Sequence, residues 1–464
     1  MPYYEDLPFN TYVSEQGIIK NLDALILPPG TLVESRVLER YEWLGKEIWE
    51  FIERGGLVIG VCSGAQLLSR AVNLNVKGLP GYVSGLGVLD IVFEPLIVTG
   101  SVRVRVVNES WATKGLLNSE LSGWEAHTYG RAVIRDPSDV QVDGISITTR
   151  YNYRNLNIEV PTLISSWRYK VFGTMVHGIL KQDSPIVRNI FNELGVNSEL
   201  LIKEYYKEVQ GRDWIIRGTN VPMPPKTIVV ASTMTSEGKT LITTALAHCL
   251  SKNGYHVGIT KLGGDIRDLH PSLYILKRPL RPWMSIKLRW GSQLLGLTDW
   301  HEVLNRATEA GLDYLIVEGV MGLLTGSSRD STEEFSSTLG FVKRVNAHII
   351  LIASASYDGV EGALFRLRVY VNELARIGRK PIITILNNAY HDFHEDEELR
   401  KVKTELRREG IALLIIDRLP ITSKPEELID LGDYEEAAIK ISESICEDVM
   451  HILDKEQTLL QNSH

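Results

Sequence analysis

A cysteine held between glycines, Gly60-Val61-Cys62-Ser63-Gly64, follows the apolar run Leu57 to Val61 and precedes a helical pattern beginning at Ala65. The G-x-C-x-G spacing is the thiol form of the nucleophile elbow, a sharp strand-to-helix turn that glycines two residues to either side allow to pack closely. The helix start beside the sulfur lowers a thiol pKa and offers N–H groups to an oxyanion. A buried core cysteine is the plain alternative, and the strand-turn-helix context favours the nucleophile. A thiolate that attacks an amide needs a proton shuttle, usually an imidazole. His177, in Gly173-Thr174-Met175-Val176-His177-Gly178-Ile179, ends an apolar strand at the edge where α/β sites collect. His127, in Gly123-Trp124-Glu125-Ala126-His127, is its rival.

A different chemistry follows downstream. An apolar strand, Thr227 to Ala231, runs into Ser232-Thr233-Met234-Thr235-Ser236-Glu237-Gly238-Lys239-Thr240 and then directly into a helix. In such a loop the backbone N–H groups cradle phosphates, the lysine reaches the β/γ oxygens and the threonine hydroxyl ligates Mg²⁺. The strict phosphate-loop pattern is not met, because Thr233 stands where its first glycine belongs. The company downstream strengthens the reading. Lys261-Leu262-Gly263-Gly264-Asp265-Ile266-Arg267-Asp268 supplies a second lysine and two carboxylates, and Asp313-Tyr314-Leu315-Ile316-Val317-Glu318 is an apolar strand ending in a carboxylate that completes an Mg²⁺ shell.

Positioning these groups requires sheets with helices between the strands. Short β-branched runs alternate with amphipathic stretches along most of the chain, which predicts an α/β protein built on parallel sheets. LDALILPPG is followed by a predicted helix from Val33 to Arg54, and AQLLSRAV is read as the helix after the elbow. Periodicity stops between Gly211 and Lys226, where prolines gather. The predicted domains are therefore 1–205 and 226–455, with a linker at 206–225 and a polar tail at 456–464 expected to fray. The charged segment 394–410 reads as a solvated helix face.

Composition narrows the function classes. The 464 residues carry 50 basic and 58 acidic side chains, a net charge of −8, the opposite of a nucleic-acid-binding footprint. No apolar run reaches the length of a membrane helix, and MPYYEDLPFN is no signal peptide, so a cytoplasmic protein acting on small molecules is expected. Cys62, Cys249 and Cys446 are scattered without CxxC or metal spacing and are read as three lone thiols.

Both halves resemble one family, and the resemblance implies two doubly wound parallel-sheet domains, flavodoxin-like in the first half and P-loop in the second. Gly60-Val61-Cys62-Ser63-Gly64-Ala65-Gln66 is similar to the G-[IV]-C-x-G-x-Q signature of class I glutamine amidotransferases, which implies a glutamine-binding role for Gln66. Gly123-Trp124-Glu125-Ala126-His127 through Gly130-Arg131, with Val176-His177-Gly178, resembles the branch that contains cobyrinic acid a,c-diamide synthase and cobyric acid synthase. That branch lacks the usual glutamate two residues after the histidine; here the position is Ile179, which implies a Cys-His dyad. Where the family reads L-P-G-G this chain has Leu27-Pro28-Pro29-Gly30. Pro29 has no N–H, so the oxyanion donor is expected from Gly30 or its neighbour, beside Ser63. Nothing before Asn21 resembles the family's apolar first strand.

The second half is similar to the dethiobiotin-synthetase-like amidoligase domain of the same branch. Its phosphate loop is matched by Thr233, Ser236, Glu237, Gly238, Lys239 and Thr240, and its K-x-G-P-D-Y-I-D-P motif by Lys261, Gly263, Asp265 and Asp268, with Gly264 in place of the first proline. Its E-G-V-M-G segment is matched by Glu318 to Gly322, its Ser-Thr by Ser331-Thr332, and its base-proximal asparagine by Asn387. The resemblance implies ATP and Mg²⁺ (Thr240, Asp265, Glu318), glutamine as ammonia source and a corrinoid or related tetrapyrrole polycarboxylate as acceptor. Cobyrinic acid at its a and c positions is the leading acceptor, with cobyric acid synthase or nickel-sirohydrochlorin diamide synthase as the same chemistry on another macrocycle. A nucleotide-dependent scaffold with decayed sites is the reading from another class. A homodimer is compatible with all of them. Family enzymes usually place the ATP domain first, and in this chain the order is reversed.

Overall fold

Strand β2 (Leu57–Val61) is apolar and buried at every position, as expected of an interior parallel strand. It lies between β1 (Ala24–Leu27) and the much later β11 (Val171–Thr174), parallel to both. The computed structural model describes residues 16–30, 36–74, 81–149, 157–180, 184–197, 224–264, 266–278, 280–290, 293–331, 334–390, 397–420 and 431–461. The chain divides near residue 215 into two compact units. Most of the segment read as a linker lies outside the described residues, as do Asp265, Thr332 and the stretch before residue 16.

In the first unit the helix expected over Val33 to Arg54 is broken at Tyr41 into α1 (Val37–Arg40) and α2 (Glu42–Glu53), which buries Ile48, Phe51 and Ile52. After the elbow, α3 (Ser63–Leu68) is only six residues long, and the rest of AQLLSRAV is not helix. It becomes β3 (Ser69–Asn73), the first strand of a small second sheet completed by β4 (Tyr82–Ser84), β5 (Leu89–Glu94) and β8 (Arg131–Ile134) in the order β4-β3-β5-β8. The main sheet adds β6 (Val98–Val106), β7 (Glu120–His127), β9 (Val140–Thr149) and β10 (Asn157–Ser166) in the order β1-β2-β11-β10-β9-β6-β7. From β11 outward the pairings are antiparallel, so only its β1-β2-β11 end has the parallel arrangement that the alternating pattern suggests. Helix α4 (Pro185–Glu193) starts with Ser184 accepting from the Ile186 N–H and with proline at its first turn.

The second unit holds a seven-stranded parallel sheet in the order β14-β13-β17-β12-β18-β19-β20. Its strands are β12 (Lys226–Ser232), β13 (Val257–Leu262), β14 (Ser285–Ile286), β17 (Tyr314–Glu318), β18 (His348–Ser354), β19 (Ile383–Ala389) and β20 (Ala412–Asp417). A hairpin of β15 (Leu288–Trp290) and β16 (Gln293–Leu295) stands apart from it. Helices α5 (Lys239–Lys252), α6 (His270–Leu276), α7 (Trp300–Glu309), α8 (Thr338–Arg344), α9 (Gly359–Arg376) and α10 (Glu397–Arg408) connect the strands. Helix α10 shows its charged residues and buries Leu399, Val402 and Leu406, the solvated face read from its pattern.

The last helix, α11 (Leu431–Gln461), runs through most of the segment read as a fraying tail. It also corrects the reading of three lone thiols, since Cys446 on α11 is disulfide-bonded to Cys249 on α5, which leaves Cys62 as the one cysteine outside a disulfide. The two partners are 197 residues apart, and no local spacing announces such a pair. No helix among the described residues is long and apolar enough to cross a membrane.

Candidate active sites

Cys62 sits on the elbow between β2 and α3 with φ 51° and ψ −111°, a conformation that costs a non-glycine residue about 1–3 kcal/mol. Packing holds it there. A Cβ on Gly60 would come within 2.6 Å of the Gly64 carbonyl, and one on Gly64 would overlap the Leu27 carbonyl at the end of β1. Both glycines of the motif are therefore required by close approach, and the loop leading to Gly30 departs in contact with the elbow. The Cys62 N–H donates to the Thr174 carbonyl at 2.7 Å, extending the ladder that pairs Val61 with Thr174. This register carries His177, three residues past Thr174, to the same sheet edge as the thiol. Cys62, Ser63, Gln66 and His177 are all buried.

The segment after β11 also meets the outermost strand. Trp124 of β7 forms an isolated antiparallel bridge with His177, with N–H to carbonyl distances of 3.0 and 2.8 Å. Their rings stack at 4.1 Å and 15°. The Cys62 sulfur lies 3.9 Å from the Ala126 carbonyl on the same strand. His127, the rival base, is bound to the Leu96 carbonyl through Nδ1 at 3.2 Å and lies 3.7 Å from the buried Glu125, whose Oε1 accepts from Ser146. The Gln66 side chain donates to the Tyr129 carbonyl at 2.8 Å, tying α3 to the loop after β7. Ser63 presents the first backbone N–H of α3 beside the sulfur, and its hydroxyl is buried without a partner among the described residues.

In the second unit the loop from Ser232 to Thr240 joins β12 to α5, with Ser236 at φ 56° and Gly238 at φ 90°. Lys239 Nζ donates to Ser232 Oγ at 3.0 Å. Thr240 Oγ1 donates to Glu318 Oε1 at 2.9 Å, and Lys261 Nζ reaches the same oxygen at 3.1 Å while also pairing with Asp268. Five of the expected residues, Lys239, Thr240, Lys261, Asp268 and Glu318, thus form one cluster because β12, β13 and β17 are adjacent. Burial, with the charge of Lys261 adding to it, lowers the Lys239 ammonium to about 8. Burial pushes Glu318 above the usual carboxylate range, against the pull of Lys261.

Glu318 Oε2 is buried and has no partner among the described residues. An orphaned carboxylate oxygen beside a threonine hydroxyl suits a hard cation such as Mg²⁺, which takes oxygen ligands. Thr240 and Glu318 fit that role; Asp265, the third expected ligand, lies outside the described residues.

Other expected residues are arranged differently. The Glu237 side chain is fully buried and turned inward: it accepts from Thr233 Oγ1, the Met234 N–H, the Ser354 N–H and Arg366. Asn387 lies at the loop, donating to the Glu237 carbonyl at 2.9 Å, and a Cβ on Gly238 would overlap its amide. Ser331 closes a turn with Glu334 and Arg344 and makes no contact with the lysine cluster among the described residues. Sequence reasoning missed Arg366 on α9, which contacts Thr233, Glu237 and the Ser354 carbonyl beneath the loop. Nothing in its local pattern distinguishes it from the other arginines of that helix.

Residues 5–185 match the family model of the CobB/CobQ-like glutamine amidotransferase domain, and residues 228–429 that of the CobQ/CobB/MinD/ParA nucleotide binding domain. Among curated proteins, a cobyric acid synthase of Thermoanaerobacter sp. (strain X514) is 28% identical over 213 residues, 44% of this chain and 40% of the relative. Cobyric acid synthases of Clostridium botulinum (34% over 123 residues) and Vibrio parahaemolyticus (30% over 181 residues) cover 25% and 37% of this chain and 24% and 32% of themselves. The chain therefore spans 40% or less of the length of these relatives. Among solved structures, the MinD cell division protein of Aquifex aeolicus aligns with 49% of this chain and 97% of its own, at 15% identity and a TM-score of 0.32.

Proposed function

Because this chain joins a CobB/CobQ-like glutamine amidotransferase domain to a CobQ/CobB/MinD/ParA nucleotide-binding domain, we propose that it is a glutamine-dependent amidoligase acting on carboxylates of a corrinoid. The observation that supports it most is the presence of two complete chemistries in one chain: a strained thiol sharing a sheet edge with a histidine, and a phosphate loop whose lysine and threonine meet a buried carboxylate.

In this reading the Cys62 thiolate attacks the side-chain amide of glutamine, forming a thioester and releasing ammonia; His177 delivers the proton to the leaving nitrogen, and water later frees glutamate. The N–H groups at Ser63 and the Gly30 loop stabilise the oxyanion. Gln66 shapes the glutamine pocket by fixing the Tyr129 carbonyl. In the second domain Lys239 and the loop N–H groups hold the phosphates of ATP, Lys261 with Asp268 faces the transferred group, and Asn387 borders the nucleotide. Thr240 and Glu318 would hold Mg²⁺, which would supply charge neutralisation on the phosphates. Phosphorylation activates the acceptor carboxylate, and ammonia displaces phosphate to leave an amide.

The Lys261-x-Gly263-x-Asp265 segment favours cobyrinic acid as acceptor, amidated at its a and c positions. The names of the curated relatives favour a second reading, cobyric acid synthase. Purified protein given glutamine, ATP and either cobyrinic acid or a partly amidated corrinoid separates the two by the mass of the product. ADP formation without amidation on any corrinoid refutes both. Cys62→Ala should abolish glutamine use while sparing turnover with free ammonium; equal loss of both refutes the two-site assignment.

A further inference from the structure

The imidazole that serves Cys62 must be held in one orientation, and the structure shows what lies against it. Trp124 covers the His177 ring face to face at 4.1 Å and 15°, and the backbones of the two residues exchange both hydrogen bonds. The approach is close enough to constrain the neighbouring residue: a Cβ on Gly123 would lie 2.5 Å from the His177 carbonyl. The indole Nε1 is buried and has no hydrogen-bond partner among the described residues, so what Trp124 offers the site is its face rather than its donor. Ile179, two residues beyond the histidine, is buried and apolar.

We propose that Trp124 is a positioning residue for His177, fixing the imidazole by stacking and favouring its protonated form over the ring face. This rests on the reading of His177 as the proton shuttle. An aromatic face carries negative potential and attracts a cation lying on it, most strongly for tryptophan and more so when water is excluded. Stabilised imidazolium in turn stabilises the thiolate of a Cys-His pair. Four other titratable groups belong to the elements that meet here, Cys62 at the end of β2 and Glu120, Glu125 and His127 on β7; Glu120 is exposed and paired with Arg103, and Glu125 and His127 are paired with each other.

The test is the pH dependence of Cys62 alkylation by iodoacetamide in the full-length protein. Cys249 and Cys446 are bonded to each other, so the reagent reports Cys62 alone. Trp124→Phe keeps a ring face and should keep the wild-type midpoint. Trp124→Leu should raise the midpoint by roughly half to one pH unit and lower kcat for glutamine hydrolysis by about tenfold with little change in KM. Trp124→Met makes the same ring-free comparison if the leucine variant does not fold. A ring-free variant that loses thermal stability but keeps the wild-type midpoint overturns the proposal, because packing alone would do that. His177→Gln separates the two levels: it should raise the midpoint to that of an ordinary thiol and abolish hydrolysis, and if it leaves both unchanged, the shuttle reading fails and this inference with it.

Discussion

Breaking the Cys249–Cys446 bond should destabilise the second unit without undocking its last helix. The bond closes a segment of 197 residues, and loop-closure entropy for a segment that long gives an upper figure of about 5 kcal/mol, with about 2–4 kcal/mol typical of measured disulfides. The other contacts of α11 do not run through the two sulfurs: His248 Nδ1 lies 3.1 Å from Ser442 Oγ, and Ile441, Ile445 and Val449 are buried. The loss is thus that of the cross-link alone. For a unit of this size each kcal/mol moves the midpoint by about 2–4 °C, so reductant should lower its Tm by roughly 5–15 °C. Scanning calorimetry with and without a phosphine reductant reads this, and the transition of the first unit, whose only cysteine is Cys62, is the internal control. Cys446→Ser should match the reduced protein and ignore reductant. The reasoning is refuted if the variant responds to reductant as wild type does, or if fully reduced wild type melts where the oxidised protein melts.

Lys239, lowered to about 8 by burial and by Lys261, is charged below that pH and neutral above it. Nucleotide affinity should therefore fall about tenfold between pH 7 and pH 9 by titration calorimetry, where an ordinary lysine predicts no change, and Lys239→Met should flatten the profile. Gly64→Ala places a methyl on the Leu27 carbonyl and should cost about 1–3 kcal/mol in the first unit together with the reactivity of Cys62; an unchanged melt would refute the contact. Arg366→Met leaves Glu237 buried without its cation and should cost about 3–5 kcal/mol by denaturant titration, with Glu237→Gln in the same chain recovering part of the loss. No recovery would mean that the arginine contributes through packing instead.

Much of each site was legible because it is local. The elbow at Cys62 and the loop at Lys239 are each written in about ten consecutive residues, since strand, turn and helix start must be contiguous for the backbone N–H groups to converge. Glu318 and Lys261 were readable as polar ends of apolar strands, and parallel neighbours β13, β12 and β17 then bring such ends together. What stayed hidden depends on contacts far apart in sequence. The short α3 gives way to β3 because the small second sheet offers its backbone partners in β4 and β5, which no helical periodicity reports. The antiparallel side of the main sheet reads locally like any other apolar strand run. The disulfide, the stacking of Trp124 on His177 and the place of Arg366 under the phosphate loop are tertiary facts with no signature of their own.

The parallel pairing of β2 with β11 has a consequence for how the first domain is made. Gly60 faces Gly173 and Val61 faces Thr174, yet every strand from β3 to β10 is synthesised between the two. A nascent chain therefore carries its thiol elbow long before it carries the histidine, and so distant a pairing must close its loop entropy before any contact rewards it. Until β11 slots between β2 and β10, Cys62 lacks the Thr174 carbonyl that receives its N–H. Reactivity of this cysteine toward a mild alkylating agent is therefore also a clock for folding, marking the moment when the last central strand is inserted.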